Sequence, residues 1–220
     1  MGLITLFTLR LAAARNEALK QAQRTRRIQQ FTMNLFKGGE DSAVAPAKDL
    51  RIATVLDRGV AEPRALDHEP LVKADLFQTL GNIYQDVGRF ADADNLFRSA
   101  LAIRRSQLPS DDTSIASILV ALGKLRVNQG KFREAEHLIR QGLSIDDRHT
   151  FNRQTGIAND WSALGLVLDH EGKHGEAIKL FERALRIQTA SSPDSPELAA
   201  TLTSMADARF YPVTTTSRMP

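Results

Sequence analysis

Residues 158–187 read ANDWSALGLVLDHEGKHGEAIKLFERALRI, and this stretch has two competing readings. HEGKH at 170–174 has the form H-E-x-x-H, in which two histidines one helical turn apart bind zinc and the glutamate acts as general base. Zinc binding there requires one unbroken helix through Gly172. The rest of the chain points elsewhere. Residues 74–103 (ADLFQTLGNIYQDVGRFADADNLFRSALAI) and 116–145 (ASILVALGKLRVNQGKFREAEHLIRQGLSI) align with 158–187 without a gap, and the three copies start 42 residues apart. Leu80, Leu122 and Leu164 share one column, and Gly81, Gly123 and Gly165 the next. Gly88, Gly130 and Gly172 share a later column. After it come Ala93, Ala135 and Ala177, then Phe97, Ile139 and Phe181, then Leu101, Leu143 and Leu185. A partial fourth copy, AATLTSMADARF, runs from Ala199 to Phe210 with Met205 and Ala206 in the Leu-Gly places.

The columns have a physical meaning. Ala74, Phe77, Leu80 and Gly81 lie on one face of a helix by their spacing. The Gly88 column falls between two periodic segments, where a left-handed residue stops a helix. Small residues at Gly81 and Ala93 let two antiparallel helices approach closely. No such hairpin buries its faces alone, so stacked copies must build the core. Pro109, Pro193 and Pro196 fall between copies, where a helix is expected to end. HEGKH lines up with DVGRF and NQGKF, so Gly172 is a turn residue, His170 ends one helix and His174 opens the next. A catalytic zinc also needs a third protein ligand, and Glu182 and Glu197 are poorly placed to supply it. No metal, no cofactor and no catalytic residue is therefore expected. His174 is expected to pack near the turn beside Ala177, and His68, His137 and His149 to lie at the surface.

The composition is that of an ordinary globular protein: 220 residues, 42% hydrophobic and 25% charged. A net charge of +3 is too small to call for nucleic acid, and the basic residues are not interleaved with aromatics. With no cysteine in the chain, disulfides and thiolate metal sites are excluded.

The repeat resembles the tetratricopeptide repeat. Its W-x2-L-G-x2-Y…A-x3-F pattern is met by Trp161, Leu164, Gly165, Ala177 and Phe181, and by Phe77, Leu80, Gly81, Tyr84, Ala93 and Phe97. Leu168 and Arg126 replace the tyrosine in the third and second copies. The usual period is about 34 residues; 42 matches the longer repeats of kinesin light chain type. The resemblance spans Ala74 to about Phe210. It implies an all-α fold, an α-solenoid of antiparallel helix hairpins over 70–210, with three full repeats and a partial fourth. It also implies a concave groove, lined by the first helix of each pair, that takes a peptide or partner protein. The groove positions it implies are Asp75, Gln78, Asn82 and Gln85; Ser117, Val120, Lys124 and Asn128; and Asn159, Ser162, Leu166 and Asp169. Gln78, Asn82, Gln85, Lys124, Asn128, Asn159, Ser162 and Asp169 are the candidate ligand contacts. The asparagines lead, because an amide both donates to and accepts from an extended backbone. The clamp on a terminal carboxylate found in chaperone-binding repeats needs several cations, and only Lys124 stands among these positions.

In front of the repeats, MGLITLFTLRLAAAR is too short an apolar run to span a bilayer and lacks the basic start of a signal peptide; it reads as a frayed helix start or as the tail end of a membrane span whose first half is missing. Residues 12–36 read as one long helix within an N-terminal segment 1–37. Arg15, Lys20, Arg24, Arg26 and Arg27 outnumber Glu17 on it, and Ala18, Ala22, Thr25, Ile28 and Leu35 form a thin stripe. Such a helix suits an anionic membrane surface, self-association through the stripe, or plain solvation. GGEDSAVAPAK at 38–48 is a linker by composition. Residues 49–69, with Leu50, Val55, Leu56 and Val60 on one side, are expected to cap the first repeat. The tail 211–220, YPVTTTSRMP, is expected to be disordered. This front portion resembles the region after the kinase domain in bacterial serine/threonine protein kinases with C-terminal repeats. The sequence holds none of the kinase motifs, so no catalytic residue carries over. The expected function is a non-catalytic interaction scaffold. The alternative is a regulatory or sensor segment of such a kinase, and the sequence leaves a cytoplasmic or a membrane-associated location open.

Overall fold

Three glycines set the turns. Gly88, Gly130 and Gly172 take φ of 79°, 71° and 77°, the left-handed region that a side chain disfavours. The structure, a computed structural model, describes residues 68–146 and 154–210, together with six exposed helical positions between Arg15 and Gln29. Beyond those six positions, the expectations for the N-terminal segment 1–37, the linker 38–48, the capping helix 49–69 (apart from His68 and Glu69) and the tail 211–220 lie outside the described residues.

Seven helices are described: α1 (Pro70–Asp86), α2 (Phe90–Gln107), α3 (Thr113–Asn128), α4 (Phe132–Asp146), α5 (Gln154–His170), α6 (His174–Ser191) and α7 (Pro196–Phe210). Among the described residues there is no strand, and the fold is all-α. Each glycine turn closes in the same way. The N–H of the residue after it donates to the carbonyl five residues back, as Arg89 to Tyr84 at 2.8 Å, Lys131 to Arg126 at 2.9 Å and Lys173 to Leu168 at 2.8 Å. These bonds satisfy carbonyls that a helix end leaves without partners. Asp112 starts α3 by accepting from the Ser114 N–H at 2.8 Å, and Ser195 Oγ starts α7 by accepting from the Leu198 N–H at 3.2 Å. Pro196 does not end a helix as expected. It is the first residue of α7, where its missing N–H costs nothing and its φ is already helical.

The chain divides into two units, 1–80 and 81–220, with the boundary inside α1. In the first, Ala74, Leu76, Phe77 and Leu80 are buried, and Lys73 Nζ lies 5.9 Å from the Phe77 ring centre. In the second, successive helices from α2 to α7 pack in chain order, and the first helices also meet, α3 with α5 and α5 with α7.

In the second unit, helices approach closely at the small columns. A methyl added at Gly81, Gly123 or Gly165 would stand 2.6, 2.5 or 2.7 Å from Phe97, Ile139 or Phe181 respectively. Phe97, Ile139, Phe181, Ala93, Ala135 and Ala177 are all fully buried. Leu122 and Leu164 are buried as expected. Val120, a groove position by the resemblance, is not in a groove. It is buried in the core with Ile157 and Leu164, because Gly142 brings α4 so near that an added methyl there would lie 2.7 Å from Val120 Cγ2.

Candidate binding groove

The groove positions sit on first helices three or four residues apart, so the helix period puts them on one face. Asn82 and Asn128 are exposed amides, and Gln85 is half-buried. Gln78 belongs to the first unit and is half-buried on α1. The others are engaged inside the fold. Asn159 Oδ1 accepts from Gln188 Nε2 at 2.8 Å. Gln188 is 1% exposed and its Oε1 has no hydrogen-bond partner, so losing Asn159 would strand more of a buried amide. Ser162 Oγ lies 2.6 Å from Thr201 Oγ1 and ties α5 to α7. Asp169 Oδ1 lies 2.6 Å from His174 Nδ1 across the turn. Lys124 Nζ is 3.8 Å from the buried Asp160.

The two histidines of HEGKH stand on different helices. His170 ends α5 and stacks on Phe132 of the preceding hairpin, with ring centres 4.6 Å apart. His174 opens α6 and, rather than packing only near Ala177, holds Asp169. The shared helix face that the zinc motif needs is not formed. Among the described residues, no three His, Cys, Asp or Glu side chains are gathered to hold a metal. His68 and His137 are exposed.

Arg126 is a residue whose role the sequence hid. It replaces the repeat's tyrosine and is 5% exposed. Its guanidinium donates to Asp94 on α2 at 2.5 Å, to Glu134 at 3.0 Å and to Gln129 at 3.0 Å. Burial alone would push the Asp94 carboxyl up. Hydrogen bonds from Arg98 and Arg126, and their charges, outweigh it and hold Asp94 below its ordinary value.

A recess of about 720 Å³ lies where α5 and α7 meet. Leu166 and Asp169 line it from α5, and Ser204, Asp207 and Phe210 from α7, with His170, Gly172 and His174 at the turn. With Met205 and Ala206 in the Leu-Gly places, Asp207 and Phe210 occupy the columns of Leu166 and Asp169. Extending the groove columns into the partial fourth copy would have found both residues.

The family model for the tetratricopeptide repeat matches residues 73–148 and 157–211, more than half of the chain. The chain belongs to the tetratricopeptide repeat family. Among solved structures it is similar to BtubC (BKLC) from P. vanneervenii, at TM-score 0.61 and 19% identity over 72% of this chain and 64% of that one. The chain thus spans less than two thirds of BtubC. It is also similar to the nearly identical TPR-like repeats of a Podosopora anserina protein described as a kinesin light chain, at TM-score 0.58 and 19% identity over 84% and 85% of the two chains. A third likeness is to Pseudomonas aeruginosa pilF, at TM-score 0.55 and 22% identity over 85% and 68%. Identities this low speak for the fold alone. Comparison with curated proteins finds no match.

Proposed function

We propose that this chain is a non-catalytic interaction module that binds a peptide or partner protein along the first helices of its hairpins. The observation that carries the reading is the exposure of Asn82 and Asn128 on that face, continued at its far end by the recess between α5 and α7. Tetratricopeptide repeats generally mediate protein–protein contacts, which supports the same reading. Gln85 and Lys124 flank the exposed amides; Asn159, Ser162 and Asp169 shape the face through their internal hydrogen bonds. The test is a partner found by crosslinking and then titrated against variants. Asn128→Ala and Asn82→Ala should weaken binding without changing the melt. Loss of binding only from second-helix changes such as Arg133→Ala would sink the groove reading.

A second reading rests on the front of the sequence, whose runs 14–39 and 56–84 resemble the segment following bacterial serine/threonine kinase domains. The module would then be the regulatory or sensor part of a kinase signalling protein, with residues 1–37 meeting an anionic membrane or a second copy. Deleting 1–37 should abolish binding to anionic vesicles or shift the sedimentation of the chain; no change in either removes this reading.

A further inference from the structure

We infer, building on the groove reading, that the recess between α5 and α7 receives a lysine or arginine side chain of the bound peptide. Two carboxylates line it, Asp169 and Asp207. Asp207 is exposed and makes no hydrogen bond or ion pair with any described residue. The nearby cations are committed elsewhere. Lys173 Nζ sits 3.0 Å from Glu136 and 2.6 Å from Glu171, and Arg209 pairs with Glu182 at 3.1 Å. The two other titratable groups at the recess are also occupied: His170 stacks on Phe132 and His174 holds Asp169. Among the described residues, the Asp207 carboxylate is therefore the charge left open at the recess, with Asp169 beside it held by His174.

The remaining lining suits a long cationic side chain. Leu166 offers an apolar wall to its methylene stem, as such stems pack on apolar surface while the head reaches polar groups. Phe210, 86% exposed at the rim, adds an aromatic ring of the kind that attracts a cation. Ser204 adds an acceptor. The fold already uses this pairing nearby, where the Arg183 guanidinium lies 4.1 Å from the Trp161 ring centre. An acidic peptide or a phosphate would meet like charge here and be excluded.

The full chain would be panned against a random-peptide display library, and one enriched peptide labelled for fluorescence polarisation. A second peptide would carry glutamine in place of its basic residue. Both would be titrated against the parent, Asp207→Asn and Asn128→Ala, with melts to confirm folding. Enriched peptides should share one basic position. The glutamine peptide should bind the parent about tenfold more weakly and should lose little further on Asp207→Asn. If enriched peptides lack a basic residue, or Asp207→Asn binds as the parent does while Asn128→Ala is weakened, the groove stands and the recess assignment falls. If neither variant changes binding, or no peptide is enriched, both fall.

Discussion

Hairpins α3/α4 and α5/α6 share their glycine, alanine and leucine columns and differ in how each is joined to the hairpin before it. In the earlier one, the tyrosine column holds Arg126, which reaches back to Asp94 on α2. In the later one the same column holds Leu168, 1% exposed in an apolar core with Val167 and Phe181. Its link backward runs instead through the Phe132–His170 stack and the Lys173–Glu136 pair. The small columns set how close two helices come, and that geometry is common to both. The tyrosine column has only to be filled, by a charged network or by hydrocarbon; both joints still carry a carboxylate held below its ordinary value, Asp94 in the earlier and Glu136 in the later.

The largest effects should come where the hairpins are alike. Phe181→Ala should cost about 3–5 kcal/mol and Ile139→Ala about 2–5 kcal/mol, read from denaturant midpoints at unchanged slope. A loss below about 1 kcal/mol in either would mean the two cores are not equivalent. Gly165→Ala should follow at about 1–3 kcal/mol, because the new methyl meets a fully buried ring that has little room to move. An unchanged melt would show that α5 and α6 can part at that point.

Arg126→Leu copies the later hairpin into the earlier one and should cost about 1–3 kcal/mol near neutral pH, through lost hydrogen bonds to charged partners. The pH profile sharpens this. Asp94 is held below its ordinary value, so the stability it lends is present above the unfolded carboxylate's value of about 3.9 and drains as pH falls through the lower folded value. The parent should therefore lose more stability than Arg126→Leu on acidification below about pH 4. Equal acid profiles would show that the Arg126–Asp94 contact is idle in solution.

The smallest effect on stability belongs to the exposed face. Asn128→Ala should leave the folding free energy within about 0.5 kcal/mol of the parent, measured by chemical denaturation, while weakening partner binding. A marked loss of stability would place Asn128 in the fold rather than in recognition.

Much of the fold was written in local rules. The positions of Gly88, Gly130 and Gly172 identified the turns because only a left-handed residue ends a helix that way. Gly165 and Ala177 marked close approach because small residues are what two touching helices leave room for. Helix phase also put Asn82 and Asn128 on an exposed face. The same phase misjudged Val120 and left the roles of Asn159 and Ser162 unseen. It says which way a side chain leaves its own helix, and nothing about what stands opposite. Gly142 brings α4 against Val120, Gln188 lies 29 residues from Asn159, and Thr201 lies 39 from Ser162. Arg126 showed in the sequence only as a departure from the repeat; its meaning came from Asp94, 32 residues earlier. Repetition and spacing in the chain determined that HEGKH crosses a turn. Only the packing of α5 against α7 decided that Asp169 and Asp207 share one recess, because a carboxylate's partners are chosen by distance in space, and a first helix meets the next one only after a whole hairpin has folded between them.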